Sequence, residues 1–134
     1  MTVHPARPCY AGTMTTLDKT LDITVEAHTA DICTVSMPTA HAHQPYGVVH
    51  GGINGVLVEH AGSLLALTNA PEGKIAVGTE LSVSHVAPNA TALVRATARV
   101  LKVTRSSVIT SVIVSDERGE MTAAGRLTCV FISA

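Results

Sequence analysis

Aromatic residues are almost absent from this chain of 134 residues, which has no Trp, two Tyr and one Phe. Charge is scarce too, because Lys, Arg, Asp and Glu make up only 14% of the residues and the formal net charge is -1. So few cations leave no basic face for a phosphate backbone, which argues against a nucleic-acid-binding protein. We therefore predict no nucleic-acid partner.

Cysteine is also scarce, and Cys9, Cys33 and Cys129 are widely spaced with no CxxC pair. An odd number of isolated cysteines is typical of free thiols in a reducing compartment. The N-terminus lacks the apolar segment of a signal peptide, and the apolar stretch in mid-chain is interrupted by Glu59. The sequence predicts a cytoplasmic protein with no membrane partner.

Apolar residues, in contrast, are abundant at 46%, and the length allows one domain with a real core. So much apolar surface on a small chain favours burial in an oligomer as well as in the core. Residues 1–16 mix Pro, Gly and Thr without periodicity. We expect a loose lead-in there and a single domain over residues 17–134.

Hydrophobic periodicity divides this domain into strands and one helix. Alternation over Leu21–His28 and Ile32–Met37 predicts a β-hairpin. From Ile53 onward, apolar residues at helical spacing on nearly every side predict an enclosed helix that ends near Asn69. Four alternating segments then predict four strands, at 75–86, 90–103, 106–116 and 121–133.

This order of elements predicts an α+β fold. An antiparallel sheet that must cover one long apolar helix curls around it. Pairing of the strands in sequential order is the simplest expectation for the sheet.

Glu59 is the single formally charged residue between Ile32 and Pro71. A carboxylate removed from water is costly unless it is paired or protonated, and no Lys or Arg is near it in sequence. We predict that Glu59 is buried on most sides and catalytic. The structural alternatives are a partly exposed helix residue or an ion pair with a distant Arg. Ser63, one turn further along the same face, is positioned to hydrogen-bond the carboxylate.

The segment from Gln44 to Gly52 leads into the N-terminus of the predicted helix. Unpaired N–H groups and the helix dipole at that end favour a carbonyl oxygen that gains negative charge. Gly51 and Gly52 either let a ligand approach the backbone closely or only shape a tight turn. His50 is either a positioning residue beside the helix start or a structural histidine.

His50 and Glu59 are nine positions apart, which is about 13 Å along a helix. The Gly51 N–H and the Glu59 carboxylate are then too distant to act on one carbonyl carbon. If both act, they belong to different subunits, with two antiparallel helices across a two-fold axis. The spacing predicts a homodimer at minimum, with two equivalent sites.

A metal site is an alternative role for the histidines. His41 and His43 have the HxH spacing of a cupin, but the Glu that a cupin needs a few residues later is absent. His60 directly follows Glu59, so the two side chains point about 100° apart on the helix. We predict no metal.

The segments QPYGVVHGGINGVLVEHAGSLLAL and AVGTELSVSHVAP together resemble the hotdog-fold acyl-CoA thioesterases. They are most similar to the branch that contains the 4-hydroxybenzoyl-CoA and 1,4-dihydroxy-2-naphthoyl-CoA thioesterases. In that branch a QPFGLLHGG-type loop leads into a helix bearing a catalytic Glu. The resemblance extends from about residue 17 to residue 133. It implies a hotdog fold, in which a curved antiparallel sheet wraps one long central helix.

The resemblance also implies a role for each matching residue. The Gly51 N–H would polarise the thioester carbonyl, and Glu59 of the facing subunit would be the nucleophile or the general base for water. Gln44 and His50 would position the thioester or stabilise developing charge, and Ser63 would orient the water or the carboxylate. The implied contacts to substrate and CoA are His60, Leu64, His85, Arg105, Ser106 and Ser107.

Two departures from the branch concern substrate recognition. Relatives commonly carry a basic Gly-x-Arg turn for the CoA phosphates, whereas the Arg of Thr104-Arg105-Ser106-Ser107 is shifted by about one residue. Ala87 replaces the Arg that follows the NHV motif of the family. The scarcity of aromatic residues predicts an acyl pocket lined by aliphatic side chains.

The expected activity is therefore hydrolysis of an acyl-CoA, with an aroyl-CoA as the expected class, to a free acid and CoA. No cofactor is expected, because CoA is part of the substrate and a thioester needs only a carboxylate and oxyanion donors. One alternative is hydrolysis of acyl groups from a carrier protein. Another is a non-catalytic acyl-CoA-binding domain, which would gain nothing from a buried acid. The expected assembly is a homodimer at minimum and a homotetramer built as a dimer of dimers, although the sequence does not specify how dimers would pair.

Overall fold

The computed structural model describes residues 15–134, which form two helices and six strands. Helix α1 is a single turn over Leu17–Thr20, and the long helix α2 spans Gly51–Thr68. The strands are β1 (Thr24–His28), β2 (Ile32–Pro38), β3 (Lys74–His85), β4 (Leu93–Val103), β5 (Ser107–Asp116) and β6 (Met121–Ser133). The predicted hairpin, central helix and four later strands are all present. Most of the predicted lead-in, residues 1–14, lies outside the described residues.

All six strands form one antiparallel sheet in the order β1-β2-β4-β5-β6-β3. Sequential pairing is wrong at β3, which pairs with β6 at the far edge of the sheet. Helix α2, whose 18 residues span about 27 Å, crosses the face of the sheet between β2 and β3. Strands β4, β5 and β6 occupy the positions between those two strands.

The core lies between one side of α2 and the concave face of the sheet, as the predicted α+β fold requires. The buried helix residues are Asn54, Leu57, Val58, Ala61, Gly62, Leu65 and Ala66. Gly62 permits close packing, because a Cβ there would lie 2.8 Å from Leu127 Cδ2. The expected enclosure on every side is not reached within one chain, since Gly52 and Leu67 remain exposed. No helix within residues 15–134 is long and apolar enough to cross a membrane.

The two edges of the sheet differ in length and regularity. Strand β1 has five residues and a bulge between Val25 and Ala27, and Glu26 on it pairs with Arg95 at 2.7 Å. Strand β3 has 12 residues, and one of its sides has no strand partner within the described chain. Short, bulged edges resist further pairing, whereas a long edge can accept another strand. Only the β3 edge is suited to extending the sheet.

Candidate active site

One face of α2 runs along β3 and consists of small and polar residues. Gly51, Gly55, Glu59 and Ser63 follow each other at four-residue spacing, which places them on one face of the helix. We call this contact between the helix face and β3 the α2–β3 seam. The two elements are antiparallel along it, so the helix start faces the end of β3.

Glu59 lies in the middle of the seam, directly against Gly78 of β3. A Cβ at position 78 would lie 2.5 Å from Glu59 Oε1, so only glycine leaves room for the carboxylate in this position. The Ser63 hydroxyl donates to the same Oε1 at 3.3 Å. The predicted contact between Glu59 and Ser63 is therefore present.

A cavity of about 480 Å³ opens beside this pair, and Glu59 is half-buried at its wall. It is lined by Leu17, Gly52, Gly55, Val56, Glu59, His60, Ser63 and Leu81. We call it the acid cavity. The expected burial of Glu59 on most sides is reached only in part, because the cavity keeps one side of the carboxylate open. His60 lines this cavity, and the half-buried Leu64 packs against the hydrophobic core. The implied contacts of both residues with substrate stay predictions.

Glu59 has no cationic partner in the described part of the chain. The ion pairs among residues 15–134 join Glu26 to Arg95 and Glu80 to Arg126. The distant-Arg alternative therefore does not apply to the cations of residues 15–134. An acid without a salt bridge keeps its lone pairs available for a ligand or a water.

Cys129 lies beneath the carboxylate, opposite Gly78 in the β3–β6 register, and is almost completely buried. Burial raises the pKa of its thiol to about 11, with a further contribution from the negative charge of Glu59 and partial relief from a hydrogen bond with Ser63. The thiol is thus protonated near neutral pH. A protonated thiol is a poor nucleophile, which makes Cys129 a weaker candidate than Glu59 for a reactive group at this cavity.

A second cavity, of about 410 Å³, lies at the start of α2. Its walls are Val49, Gly51, Asn54, His85, Val86, Ala87, Pro88, Asn89 and Thr122. We call it the helix-start cavity. The His85 ring covers Gly51, because a Cβ on that glycine would lie 3.0 Å from His85 Cε1. The implied contact of His85 with substrate stays a prediction.

The Gly51 N–H has no acceptor in the described part of the chain, as expected for the first residue of a helix. The next N–H, that of Gly52, is satisfied because His50 occupies the N-cap and its Nδ1 accepts at 2.9 Å. The His50 side chain therefore has a clear capping function and lines neither cavity. Gly51 is left as the free donor at the helix start.

Gln44 also lies away from both cavities within one chain. It is half-buried, and its Oε1 accepts the Tyr46 N–H at 3.3 Å, within the loop that leads to the helix. Its predicted contact with a thioester would need either a ligand that reaches the loop or a second subunit. The role of Gln44 stays a prediction.

The predicted CoA-binding residues Arg105, Ser106 and Ser107 form the turn between β4 and β5, where Thr104 Oγ1 accepts both serine N–H groups. They line neither cavity. In the sheet register Ser107 pairs with Val130, which in turn pairs with Val77, next to Gly78. Measured along the strands, the turn therefore lies at the same height as Glu59. Across the sheet it is two strand spacings away, about 10 Å.

Two residues of the site were missed by the sequence prediction. Gly78 is the single glycine of strand β3, and a glycine inside a strand is a known sign of close approach by another group. Asn54 is an isolated amide in an apolar helix, and a buried amide requires a partner. Among residues 15–134, no three His, Cys, Asp or Glu side chains lie close enough together to hold a metal ion.

Comparison with known proteins was made on sequence and on structure. Residues 46–123 match the model of the Thioesterase superfamily. The chain is 34% identical over 124 residues to the proofreading thioesterase EntH of Klebsiella pneumoniae, which covers 86% of this chain and 90% of the relative. It is 33% identical over 90 residues to a 1,4-dihydroxy-2-naphthoyl-CoA hydrolase of Listeria monocytogenes, and the alignment covers 67% of this chain and 73% of the relative.

Solved structures are similar over nearly the whole described chain. A thioesterase from Haemophilus influenzae has a TM-score of 0.82 at 30% identity, covering 87% of this chain and 82% of that one. A Bacillus halodurans protein solved with CoA has a TM-score of 0.80 at 24% identity, covering 90% and 78%. At 24% identity, the similarity to the Bacillus halodurans protein supports the fold alone.

Proposed function

This chain belongs to the thioesterase superfamily and is a hotdog-fold thioesterase, and we propose that it hydrolyses an acyl-CoA to a free acid and CoA with Glu59 as the catalytic carboxylate. The supporting observation is the position of Glu59, which faces an open cavity with a hydroxyl donor beside it and forms no ion pair with any cation of residues 15–134. Both features suit a carboxylate that must give an electron pair to a carbon or to a proton.

The chemistry needs few groups, because a thioester carbonyl is electrophilic and a thiolate leaves readily. In one route Glu59 attacks the carbonyl carbon and forms an anhydride that water then opens. In the other route Glu59 takes a proton from a water molecule, whose oxygen attacks the same carbon. Ser63 would hold the carboxylate in the first route and also the water in the second. The Gly51 N–H would stabilise the negative charge on the carbonyl oxygen in either route.

We propose that the acid and the Gly51 donor come from different subunits of a homodimer. They are eight residues apart on one helix, about 12 Å, and they face separate cavities. Antiparallel pairing of two β3 edges would place the two seams side by side in opposite directions. A two-fold axis near Gly55, midway between them, would then bring Glu59 of each subunit to Gly51 of the other. Pairing of such dimers into a tetramer is part of the same proposal.

The proposed substrate contacts follow from the same arrangement. Gln44 and His50 would lie at the mouth of the shared site and position the thioester, with His60 at the wall of the acid cavity. Arg105, Ser106 and Ser107 would meet the phosphate end of CoA, since their turn is level with Glu59 but displaced by two strands. The reaction would require no cofactor. The buried thiols of Cys33 and Cys129 remain unpaired, which supports a reducing, cytoplasmic location.

An aroyl-CoA is the proposed acyl class, supported by the similarity to a 1,4-dihydroxy-2-naphthoyl-CoA hydrolase. A second candidate is release of acyl groups from a carrier protein. Similarity to a relative named as a proofreading thioesterase favours this candidate. The two differ in the part of the substrate beyond the sulfur, so the same catalytic groups serve both.

The test is a panel of thioesters in which one acyl group is presented on CoA and on a carrier protein, and several acyl groups are presented on CoA. We expect the highest kcat/KM for aromatic acyl-CoA substrates in the wild type and almost none in Glu59→Gln. A higher kcat/KM for the carrier-bound form would favour the second candidate. Undiminished hydrolysis of every thioester by Glu59→Gln would contradict the assignment of the carboxylate.

A further inference from the structure

Asn54 is a buried polar residue with no part in the mechanism described so far. It belongs to the first turns of α2, is 7% exposed and forms part of the wall of the helix-start cavity. Its Nδ2 lies 3.0 Å from Nδ1 of His85 on β3. An amide in an otherwise apolar helix is costly unless it is hydrogen-bonded, so this contact accounts for the burial of Asn54.

The direction of this hydrogen bond determines where the proton of a neutral His85 ring lies. The amide nitrogen of Asn54 can only donate, so His85 Nδ1 must accept. A neutral imidazole that accepts at Nδ1 carries its proton on Nε2. The contact with Asn54 therefore makes Nε2 a hydrogen-bond donor.

His85 Nε2 is close to the free N–H of Gly51. It lies 3.1 Å from the position that a Cβ on Gly51 would take. Since that position is about 2.5 Å from the nitrogen of the same residue, the two nitrogens are at most about 5.6 Å apart. Two donors can share one oxygen when each is about 3 Å from it. Both N–H groups can thus reach a single oxygen atom in the cavity.

We propose that Asn54 is a positioning residue that holds His85 in its Nε2–H form, so that His85 and the Gly51 N–H donate together to the thioester carbonyl oxygen. This inference rests on the proposed thioester hydrolysis for its catalytic meaning but not for the state of the ring. Asn54 itself touches neither the thioester nor the attacking group in this arrangement. It acts through the histidine.

Nitrogen NMR of the histidine rings tests the state of the ring without any substrate. In the wild-type protein at a pH where His85 is neutral, we expect a protonated Nε2 and an unprotonated Nδ1. The Asn54→Asp substitution keeps the size of the side chain but supplies only acceptors, so the proton of the neutral ring is expected on Nδ1. A wild-type ring protonated on Nδ1 would overturn the proposal.

Kinetics test the effect of the tautomer on hydrolysis. Relative to wild type at each pH, Asn54→Asp is expected to lose roughly 10- to 100-fold in kcat at high pH, with KM changed much less. At low pH the loss should be small, because a doubly protonated ring keeps a proton on Nε2. A purely structural defect would lower activity at every pH alike, and that result would contradict the proposal.

The double-substituted protein supplies the matched control. In a His85→Gln background the amide group of the glutamine always carries an N–H donor and has no second tautomer. Asn54→Asp should therefore add no pH-dependent loss of kcat there. The same pH-dependent loss in that background would overturn the role of His85. Retained hydrolysis in Glu59→Gln would instead contradict the proposed function and leave the NMR result unchanged.

Discussion

The acid cavity and the helix-start cavity lie along one seam and have complementary chemistry. The acid cavity holds an electron-pair donor, Glu59, with Ser63 beside it, and it lies away from the N-terminus of α2. The helix-start cavity holds the Gly51 N–H and His85 but no carboxylate. Each contains what the other lacks for hydrolysis of a thioester. Under the proposed mechanism, a complete site therefore needs both cavities.

The difference between them follows from the geometry of a helix. Backbone N–H groups in the middle of α2 are used by carbonyls four residues earlier, so a free donor exists only in the first turn. A catalytic glutamate needs open space around its carboxylate and does not need a helix end. The middle of α2 provides that space where Glu59 lies against Gly78. A single helix therefore separates the two groups by about 12 Å.

The largest expected effect concerns the acid cavity. Replacing Glu59 by Gln keeps the size and the contact with Ser63 but removes the charge and the basic lone pair. We expect kcat to fall about a thousandfold or more, with KM nearly retained. Steady-state hydrolysis of an acyl-CoA measures it, with Glu72→Gln as the control because Glu72 is exposed outside both cavities.

The next effect concerns the helix-start cavity and isolates one N–H group. Proline is well tolerated at the first position of a helix, and the extended backbone of His50 (ψ 132°) suits a residue that precedes proline. Gly51→Pro removes the N–H, whereas Gly51→Ala adds a Cβ and keeps it. We expect kcat of Gly51→Pro to be about 100-fold below that of Gly51→Ala. Equal values would show that this N–H does not act.

Mixed dimers test whether the two cavities combine across subunits. Glu59→Gln and Gly51→Pro chains are each expected to be inactive alone. After unfolding and refolding together, half of the dimers would be mixed and each would have one intact site. Activity should then recover to about a quarter of the wild-type value. If the site lies within one subunit, mixing restores nothing, because every chain carries one defect.

The smallest effect concerns the hydroxyl within the acid cavity. Ser63→Ala removes the donor to Glu59 Oε1 but leaves the carboxylate and its cavity. A hydrogen bond to a charged group contributes about 1.5 kcal/mol, so we expect a loss of roughly tenfold in kcat. Thermal unfolding should be unchanged within a few degrees. A loss as large as that of Glu59→Gln would indicate that Ser63 contacts the reacting atoms.

Much of the fold and part of the site could be predicted from the sequence. The helix and the strands follow from periodicity, and the pairing of Glu59 with Ser63 follows from their spacing of four residues. The pairing of β3 with β6 could not be predicted, because it depends on where the later strands β4, β5 and β6 pack in the sheet. Leu64 illustrates the same limit, since helical spacing alone did not show that its side chain packs into the core.

Contacts between distant segments were also beyond prediction. The hydrogen bond between Asn54 and His85 joins residues 31 positions apart, and nothing in either local sequence specifies it. The turn with Arg105 could be placed between two strands, but its level relative to Glu59 depends on the register of three strands.

By itself the sequence determined which chemical groups the protein has and how far apart they lie along one helix. A lone acid in an apolar helix and a glycine at its start follow from the order of residues, because helical geometry is local. The tertiary structure alone decided what faces each group. Gly78 meets Glu59 and His85 meets Gly51 because β3 returns along the helix at the far edge of the sheet, and that return depends on packing of the whole chain.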